Sequence, residues 1–458
     1  MSSQLAVTSA QERETVLETL VIQAELGQDE LVRAGIAVLH PADVAELLDV
    51  VEEPEVKQKV FGFLPPDQAS EVLSLVSPLT RSELTQGLSS AALRDLVERL
   101  DSDDAADLLG SLPEEQARAV LNQVPEELSA EMEQLLRYPA DTAGGIMQTE
   151  HVAVPSGTRV DQAIEMIRHH IAEVPDIHNV FIIDPNQRLV GVLPLRKLIL
   201  AQPHEPIEKA MDRQVISVRV DLDQEQVAQV FKRYDLVSLP VVDAQGKLLG
   251  RITIDDVVDV LEEEATEDIY KLAGLGGEEA VLDAPWRSIR RRLPWLGLNL
   301  LTTTLSATVI SFFEGTIRTV AIAAAFMTMV AAQGGNAGIQ TLTVIVRGLA
   351  LGQVSRAQVK RVLLKEMLVA LGNGIVLGCA AGLVAYLWKG EPLLGVVLAL
   401  ALVLNLVVAA FIGSMIPFTM RWLGVDPAIA SNVFVTASTD ICGFLLFLGI
   451  LTFLLRFF

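Results

Sequence analysis

From Pro294 to its carboxyl end this chain is a succession of apolar runs too long and too continuous for a globular core. An apolar run of about 20 residues matches, as a helix, the hydrocarbon thickness of a bilayer. Five such runs stand near 293–313, 319–346, 363–388, 393–420 and 430–455. Short charged breaks separate them: Glu314–Arg318, Arg356–Lys365, Lys389–Glu391 and Arg421–Asp426. Lys and Arg in short loops set the orientation of such a protein. Arg287, Arg290, Arg291 and Arg292 precede the first run, and Arg356, Lys360, Arg361 and Lys365 lie between the second and third. The opposite loops offer Arg318 and Lys389. The expectation is a multi-pass protein of the cell (inner) membrane, with five spans, a cytoplasmic amino terminus and an extracytoplasmic carboxyl terminus. The opening MSSQLAVTSAQERETVLETL is polar and helical in pattern, unlike a secretory signal.

Charge divides the chain in the same place. Of the formal net charge of −23, the part from Pro294 onward has nine basic and five acidic residues, or +4, which leaves −27 on residues 1–293. An acidic front argues against nucleic acid as a partner and favours cations. Cys379 and Cys442 lie in apolar runs without metal-ligand spacing and are expected as small buried hydrophobes.

Two runs carry polar groups at membrane depth. The second contains AAQGGNAGIQTLTVIVRG, where Gly334, Gly335 and Gly338 loosen a helix and Asn336 and Gln340 are polar. Broken backbone is tolerated in a bilayer where protein or a wet cavity surrounds it. The fifth contains Asn432, Thr436 and Asp440 at i, i+4 and i+8, on one helical face. Gly443 can share that face and let another helix approach closely. A carboxylate at the centre of a bilayer costs about 2.5 kcal/mol or more. No other run offers a Lys or Arg at its middle, so the partner that Asp440 calls for is an ion. A ring of Asp from symmetry-related chains is one route to cation selectivity. Polar residues that merely join helices are the structural alternative.

The front contains two kinds of repeat. LHPADVAELL (39–48), FLPPDQASEVL (63–73), LDSDDAADLL (100–109) and LPEEQARAVL (112–121) share a leucine, Pro or Ser, acids and an apolar stripe. Pro41, Pro66 and Pro113 suit first-turn helix positions, and the acids complement the helix dipole. Twelve residues between the later copies are too few for a helical pair, so short helices stacked into a solenoid are expected. Asp103 and Asp107, at i and i+4, repel each other unless a cation sits between them. Further on, HNVFIIDPNQRLVGVLPLRKLI (178–199) and VSLPVVDAQGKLLGRITIDDVV (237–258) align without a gap, Asp184 on Asp243 and Gly191 on Gly250. Each copy reads strand, turn, strand, helix, and a helix-patterned segment precedes it. This pattern resembles a tandem pair of cystathionine-β-synthase (CBS) domains, modules that commonly sense adenosine nucleotides. An acidic run, Asp255 to Asp268, then leads toward the membrane.

With these parts placed, the chain resembles the MgtE family of magnesium channels/transporters over nearly its full length. The stretches that carry the resemblance are EATEDIYKL (264–272), GGNAGIQ (334–340), VIVRGLA (344–350), LKEM (364–367), LGVDPAIASN (423–432) and the Asp440 segment. The implied organisation is an α-helical solenoid N-domain at 1–138, an α/β tandem CBS pair at 139–202 and 203–263, a connecting plug helix at 264–292 and a five-helix transmembrane pore domain at 293–458. The resemblance implies a homodimer whose second and fifth spans line a central pore, with Asp440 as filter and Asn336, Asn432 and Thr436 among its polar residues. Mg²⁺ dehydrates reluctantly, so such a pore holds it through its water shell. That discriminates poorly against Co²⁺, Mn²⁺ and Ni²⁺.

For gating, the resemblance implies cytoplasmic Mg²⁺ bound among Asp103, Asp107, Asp223, Glu225, Asp235, Asp256, Asp259, Glu264, Glu267 and Asp268, closing the pore. An adenine nucleotide such as ATP in the CBS pair would meet Arg196, Thr253 and Asp256, although Lys197 replaces an acid that the pattern has in the first copy. No enzyme activity is implied. Two alternatives stay open: an H⁺- or Na⁺-coupled divalent cation transporter, and a membrane-anchored CBS nucleotide sensor.

Overall fold

Prolines start four of the ten short helices that open the fold. The computed structural model describes residues 10–170, 174, 177–275, 279, 285–428 and 431–456. Residues 1–9 of the first expected domain, most of 276–284 in the connecting segment and residue 430 of the fifth run lie outside the described residues. The helices are α1 (Ala10–Glu25), α2 (Asp29–Ile36), α3 (Pro41–Val50), α4 (Pro54–Phe61), α5 (Pro66–Leu75), α6 (Pro78–Gln86), α7 (Ser90–Val97), α8 (Ser102–Ser111), α9 (Glu114–Leu121) and α10 (Glu126–Leu135). Pro41, Pro54, Pro66 and Pro78 occupy first turns, where the missing N–H has no partner to lose. Pro113, expected inside α9, instead caps it from extended backbone, and its carbonyl accepts from Gln116 and Ala117.

Val44, Leu47, Leu48, Val72, Leu84 and Leu93 from successive helices are fully buried in one core. Each such side chain contributes about 1.5–3 kcal/mol. The core runs on through Ala143 and Met147 to Phe231, Leu239 and Ile252 of the second α/β module, whereas the first module keeps its own around Val154, Ile182 and Leu193. The expected boundary near 138 therefore divides the sequence pattern without dividing the core.

The two modules repeat closely. The first is β1 (Ala153–Pro155), α11 (Val160–His170), β2 (Asn179–Ile183), β3 (Leu189–Pro194) and α12 (Leu195–Leu200); the second is β4 (Val218–Arg219), α13 (Gln224–Tyr234), β5 (Ser238–Val242), β6 (Leu248–Thr253) and α14 (Ile254–Leu272). In each, the first strand runs parallel to the second and the second antiparallel to the third. The turns close alike: Asp184 accepts from the amides of Asn186 and Arg188, and Asp243 from those of Gln245 and Lys247. Gly246 takes the left-handed conformation there, and its counterpart Gln187 adopts it too. The two tips pair with each other, Leu189 N on the Gly246 carbonyl and Leu248 N on the Gln187 carbonyl.

The chain divides into two compact units at Val260/Leu261, inside α14. No Gly or Pro interrupts IDDVVDVLEEEATEDIYKL, so the expected domain line at 263/264 also falls inside this helix. The line at 292/293 likewise falls inside α15 (Pro285–Ser311). The second unit continues with α16 (Glu314–Thr319), α17 (Ala323–Ala350), α18 (Val359–Lys389), α19 (Pro392–Trp422) and α20 (Ser431–Leu454). Among the described residues four helices are long and apolar enough to cross a membrane: Pro285–Ser311, Val359–Lys389, Pro392–Trp422 and Asn432–Leu454. The second expected span, α17, is 28 residues long, but its polar residues dilute its apolar character.

α17 is also one continuous helix, so the expectation that its glycines loosen or break it fails. Gly338 instead admits α19 and α20: a Cβ there would lie 2.5 Å from Val435 Cγ1 and 3.6 Å from the Ala409 carbonyl. A Cβ on Gly413 would lie 2.5 Å from the Gly338 carbonyl. Small residues let membrane helices approach in this way. Cys379 corrects another expectation, since it is exposed on α18, while Cys442 is half-buried.

Candidate ion pathway and acidic control site

In the first unit, the amino-terminal end of α8 is fastened to residues 148–150. Ser102 donates through its amide (3.1 Å) and its hydroxyl (2.7 Å) to the Glu150 carboxylate, and the Thr149 amide donates to Ser102 Oγ (2.8 Å). Gln148 pairs with Arg251 of β6 through both backbone amides. Gly250 makes room for this, because a Cβ there would overlap the Gln148 carbonyl oxygen. The result sets Asp103 of α8 against Asp256, in the first turn of α14.

Burial first, and then the charges of Asp256 and Asp104, push Asp103 far above the ordinary carboxylate range. Burial also raises Asp256, against the hydrogen bonds that it accepts from the Thr253 amide (3.1 Å) and hydroxyl (2.6 Å). Asp104 is pushed up to about 6, chiefly by burial, with Arg81 opposing. Asp107 is raised for the same cause, again opposed by Arg81. Desolvation and like charge both favour the protonated form, and a bound cation would relieve both. Sequence reasoning misses Asp104, although its place beside Asp103 in SDDAADLL is an available signal.

Of the other expected acids, Asp259 acts on this group through its charge, which helps to raise Asp256, and the rest lie elsewhere. Asp223 caps α13 and accepts from the amides of Glu225 and Gln226, while Asp235 ends the same helix in left-handed conformation. A helix of that length separates its ends by roughly 15 Å. Asp259 is exposed on α14. Glu264, Glu267 and Asp268 belong to the second unit, where burial and then Asp426 raise Asp268. Lys271 holds Glu267 and Asp426 at 2.6 Å each, and Leu272 packs against a core of Leu342, Val346, Ala428 and Val435. The last turn of α14 therefore rests on α17 and the start of α20. Among the described residues no three His, Cys, Asp or Glu side chains converge as metal ligands.

At the expected nucleotide positions Arg196 is exposed, Thr253 is buried and bonded to Asp256, and Lys197 pairs with Asp212 (2.6 and 2.8 Å).

The polar residues expected to line a pore fall on two neighbouring stripes. On α20, Asn432, Thr436 and Asp440 are half-buried, and Thr436 Oγ1 donates to Asn432 Oδ1 (3.3 Å). Among the described residues no charged side chain acts on Asp440. On α17, Asn336 and Gln340 are exposed, and Gln333 extends their face by one turn. Sequence reasoning misses Gln333 as well, although its i, i+3, i+7 spacing with those two is readable. The stripes meet where a Cβ on Gly335 would lie 3.9 Å from Thr436 Cγ2. An exposed amide face at membrane depth cannot be satisfied by lipid, so it faces water or another polypeptide.

Several family models and known proteins are similar to this chain. Family models described as divalent cation transporter, MgtE intracellular N domain and CBS domain match residues 327–450, 39–141, and 143–204 with 207–263. The chain is 39% identical over 329 residues to the magnesium transporter MgtE of Thermus thermophilus, covering 71% of this chain and 73% of that one. It is 36% identical over 324 residues to the magnesium transporter MgtE of Bacillus subtilis, covering 71% and 72%. A crystal structure of the cytosolic domain of the Mg²⁺ channel MgtE in complex with ATP is 35% identical, with a TM-score of 0.49 over 52% of this chain and 99% of that one.

Proposed function

The chain belongs to the MgtE family of divalent cation transporters, and from that premise we propose a pathway for Mg²⁺ between α17 and α20 with Asp440 as its charged constriction. The protein transports Mg²⁺ across a membrane and is not an enzyme. The observation that carries the pathway is the pair of polar stripes: half-buried Asn432, Thr436 and Asp440 beside exposed Asn336 and Gln340. Asp440 supplies charge, and the amides and hydroxyl exchange hydrogen bonds with the ion's waters, so that the shell stays on. Attraction to a ring of carboxylates scales with ion charge and favours divalent over monovalent ions. The exposed α17 face calls for a second copy, and a homodimer facing α17 and α20 across an axis closes the pathway and doubles the Asp440 charge. The arginines before the first span and the Arg and Lys between the second and third support an amino terminus in the cytoplasm and a carboxyl terminus outside.

Control follows from α14. One helix carries Asp256 in its first turn and Leu272 in its last. A hydrated divalent ion drawn to the charges of Asp103, Asp104, Asp107 and Asp256, and met through its waters because no three of these side chains converge as ligands, relieves their repulsion and fixes the start of that helix, while Lys271 and Leu272 hold its end over α17 and α20. Asp223, Glu225, Asp235 and Asp259 in the first unit, and Glu264, Glu267 and Asp268 in the second, are further carboxylates that draw divalent ions. The ion closes the pathway by binding the compact arrangement more tightly than the loose one. An adenine nucleotide such as ATP binds the CBS pair, with Arg196, Thr253 and Asp256 as the residues that would meet it.

Mg²⁺ influx into proteoliposomes, measured with no H⁺ or Na⁺ gradient, tests the reading. A channel carries Mg²⁺ down its own gradient under those conditions; influx that requires a proton or sodium gradient would establish the coupled transporter instead. ATP binding to the CBS pair is checked by calorimetry with Thr253→Val, which should abolish it.

A further inference from the structure

Asn405 is fully buried near the middle of α19, and the pathway described above makes no use of it. Its Nδ2 donates to the Val330 carbonyl of α17 (3.0 Å). That carbonyl is also the helical acceptor for Gly334, one turn on. A Cβ on Gly334 would overlap Nδ2, and a Cβ on Gly443 of α20 would lie 2.9 Å from it. A single carboxamide thus sits between two glycines, one on each pathway helix. Gly334 is two residues from Asn336, and Gly443 is three from Asp440.

The orientation of the amide is settled by chemistry. Turning it over would set Oδ1 against the Val330 carbonyl, acceptor on acceptor. As oriented, Oδ1 has no hydrogen-bond partner among the described residues. An unmet acceptor at that depth is unfavourable, and a leucine would fill nearly the same space without it. Space-filling alone therefore does not account for an asparagine here. What the amide supplies and a leucine does not is a directional tie from α19 to the α17 backbone, made against the α20 glycine.

We propose that Asn405 is a positioning residue that sets the spacing of α17 and α20 at the level of Asn336 and Asp440, and so determines how well the pathway discriminates a hydrated divalent ion from a monovalent one. The inference rests on the reading of Asp440 as the constriction. Discrimination by charge weakens as the carboxylates draw away from the ion, because their attraction falls with distance. The tie through Nδ2 holds that distance short without Asn405 touching the ion.

The test uses the full-length protein in proteoliposomes, with Mg²⁺ and Na⁺ fluxes measured on the same preparations of wild type, Asn405→Leu, Asn405→Ala and Asp440→Asn. In Asn405→Leu and Asn405→Ala, Mg²⁺ flux should persist while the ratio of Mg²⁺ to Na⁺ flux falls about tenfold, the scale of one buried hydrogen bond. A wild-type ratio in either folded variant overturns the proposal. So does a failure of both variants to fold, since Asn405 would then be a packing residue. If Asp440→Asn leaves flux and ratio unchanged, the constriction reading falls and the proposal with it. A changed Asp440→Asn beside wild-type ratios in both Asn405 variants removes the positioning role alone.

Discussion

Lys271 Nζ stands 2.6 Å from Asp426 Oδ2, joining the last turn of α14 to the segment between α19 and α20. The lysine side chain is 16% exposed and the aspartate 33%, so the pair is partly shielded from water and salt. Such a pair is worth about 1 kcal/mol. Lys271→Met keeps the length of the side chain and removes the charge. It should loosen the end of α14 and raise residual Mg²⁺ flux at inhibitory Mg²⁺ about fivefold. Flux in proteoliposomes with Mg²⁺ on both faces checks this, and an unchanged inhibition curve would remove the ion pair from the gate.

The acidic group makes the first unit sensitive to pH. Asp103, Asp104 and Asp256 have raised pKa values in the compact arrangement, Asp104 about 6. The compact arrangement therefore binds more protons than a loose one, and it loses stability as pH rises above the ordinary carboxylate range. Without divalent ions, amide hydrogen exchange at the start of α8 and of α14 should quicken between about pH 5 and pH 8, and added Mg²⁺ should suppress the change. Exchange that slows with rising pH, after correction for intrinsic rates, would contradict the sign.

Gly250 holds the juxtaposition of Asp103 and Asp256 together from behind. A methyl there would overlap the Gln148 carbonyl and part the Gln148–Arg251 pair. Gly250→Ala should destabilise the first unit by about 1–3 kcal/mol, as overpacking does. It should also weaken Mg²⁺ protection of the acidic group against protease. A wild-type thermal transition with full Mg²⁺ protection would show that the strand absorbs the methyl.

Much of this architecture is legible in the amino-acid order alone. Apolar length marks the membrane helices because a bilayer leaves few other solutions, and the gap-free repeat marks the two modules down to their matched aspartate turns. Asp440 is legible for the same reason, being a charge where none is cheap. What stays hidden depends on tertiary contact. Glycines that read as helix breakers are points of close approach, because neighbouring helices, and not α17 itself, decide whether Gly338 is a fault or a fit. The group around Asp103 and Asp256 lies about 150 residues apart in sequence, and local periodicity carries no information at that range. The lines at 263 and 292 mark changes of domain pattern, but the helices run on across them because helix propensity does not change there.

Gly413 is the opposing half of the α17–α19 approach. Gly413→Ala would bring a methyl to 2.5 Å from the Gly338 carbonyl, a backbone atom that cannot turn aside. The detergent-solubilised protein should lose about 1–3 kcal/mol of stability, read as a lowered Tm. An unchanged Tm would mean that the helices have slack at this crossing.

Asp440 carries the central claim, because it is a carboxylate near the middle of a membrane helix with no charged side chain acting on it among the described residues. The deciding measurement is Mg²⁺ flux through the reconstituted full-length protein, wild type against Asp440→Ala, at matched protein density and with low Mg²⁺ on the cytoplasmic face. The account expects Asp440→Ala to lose nearly all Mg²⁺ flux while remaining folded. Undiminished flux in Asp440→Ala would contradict it.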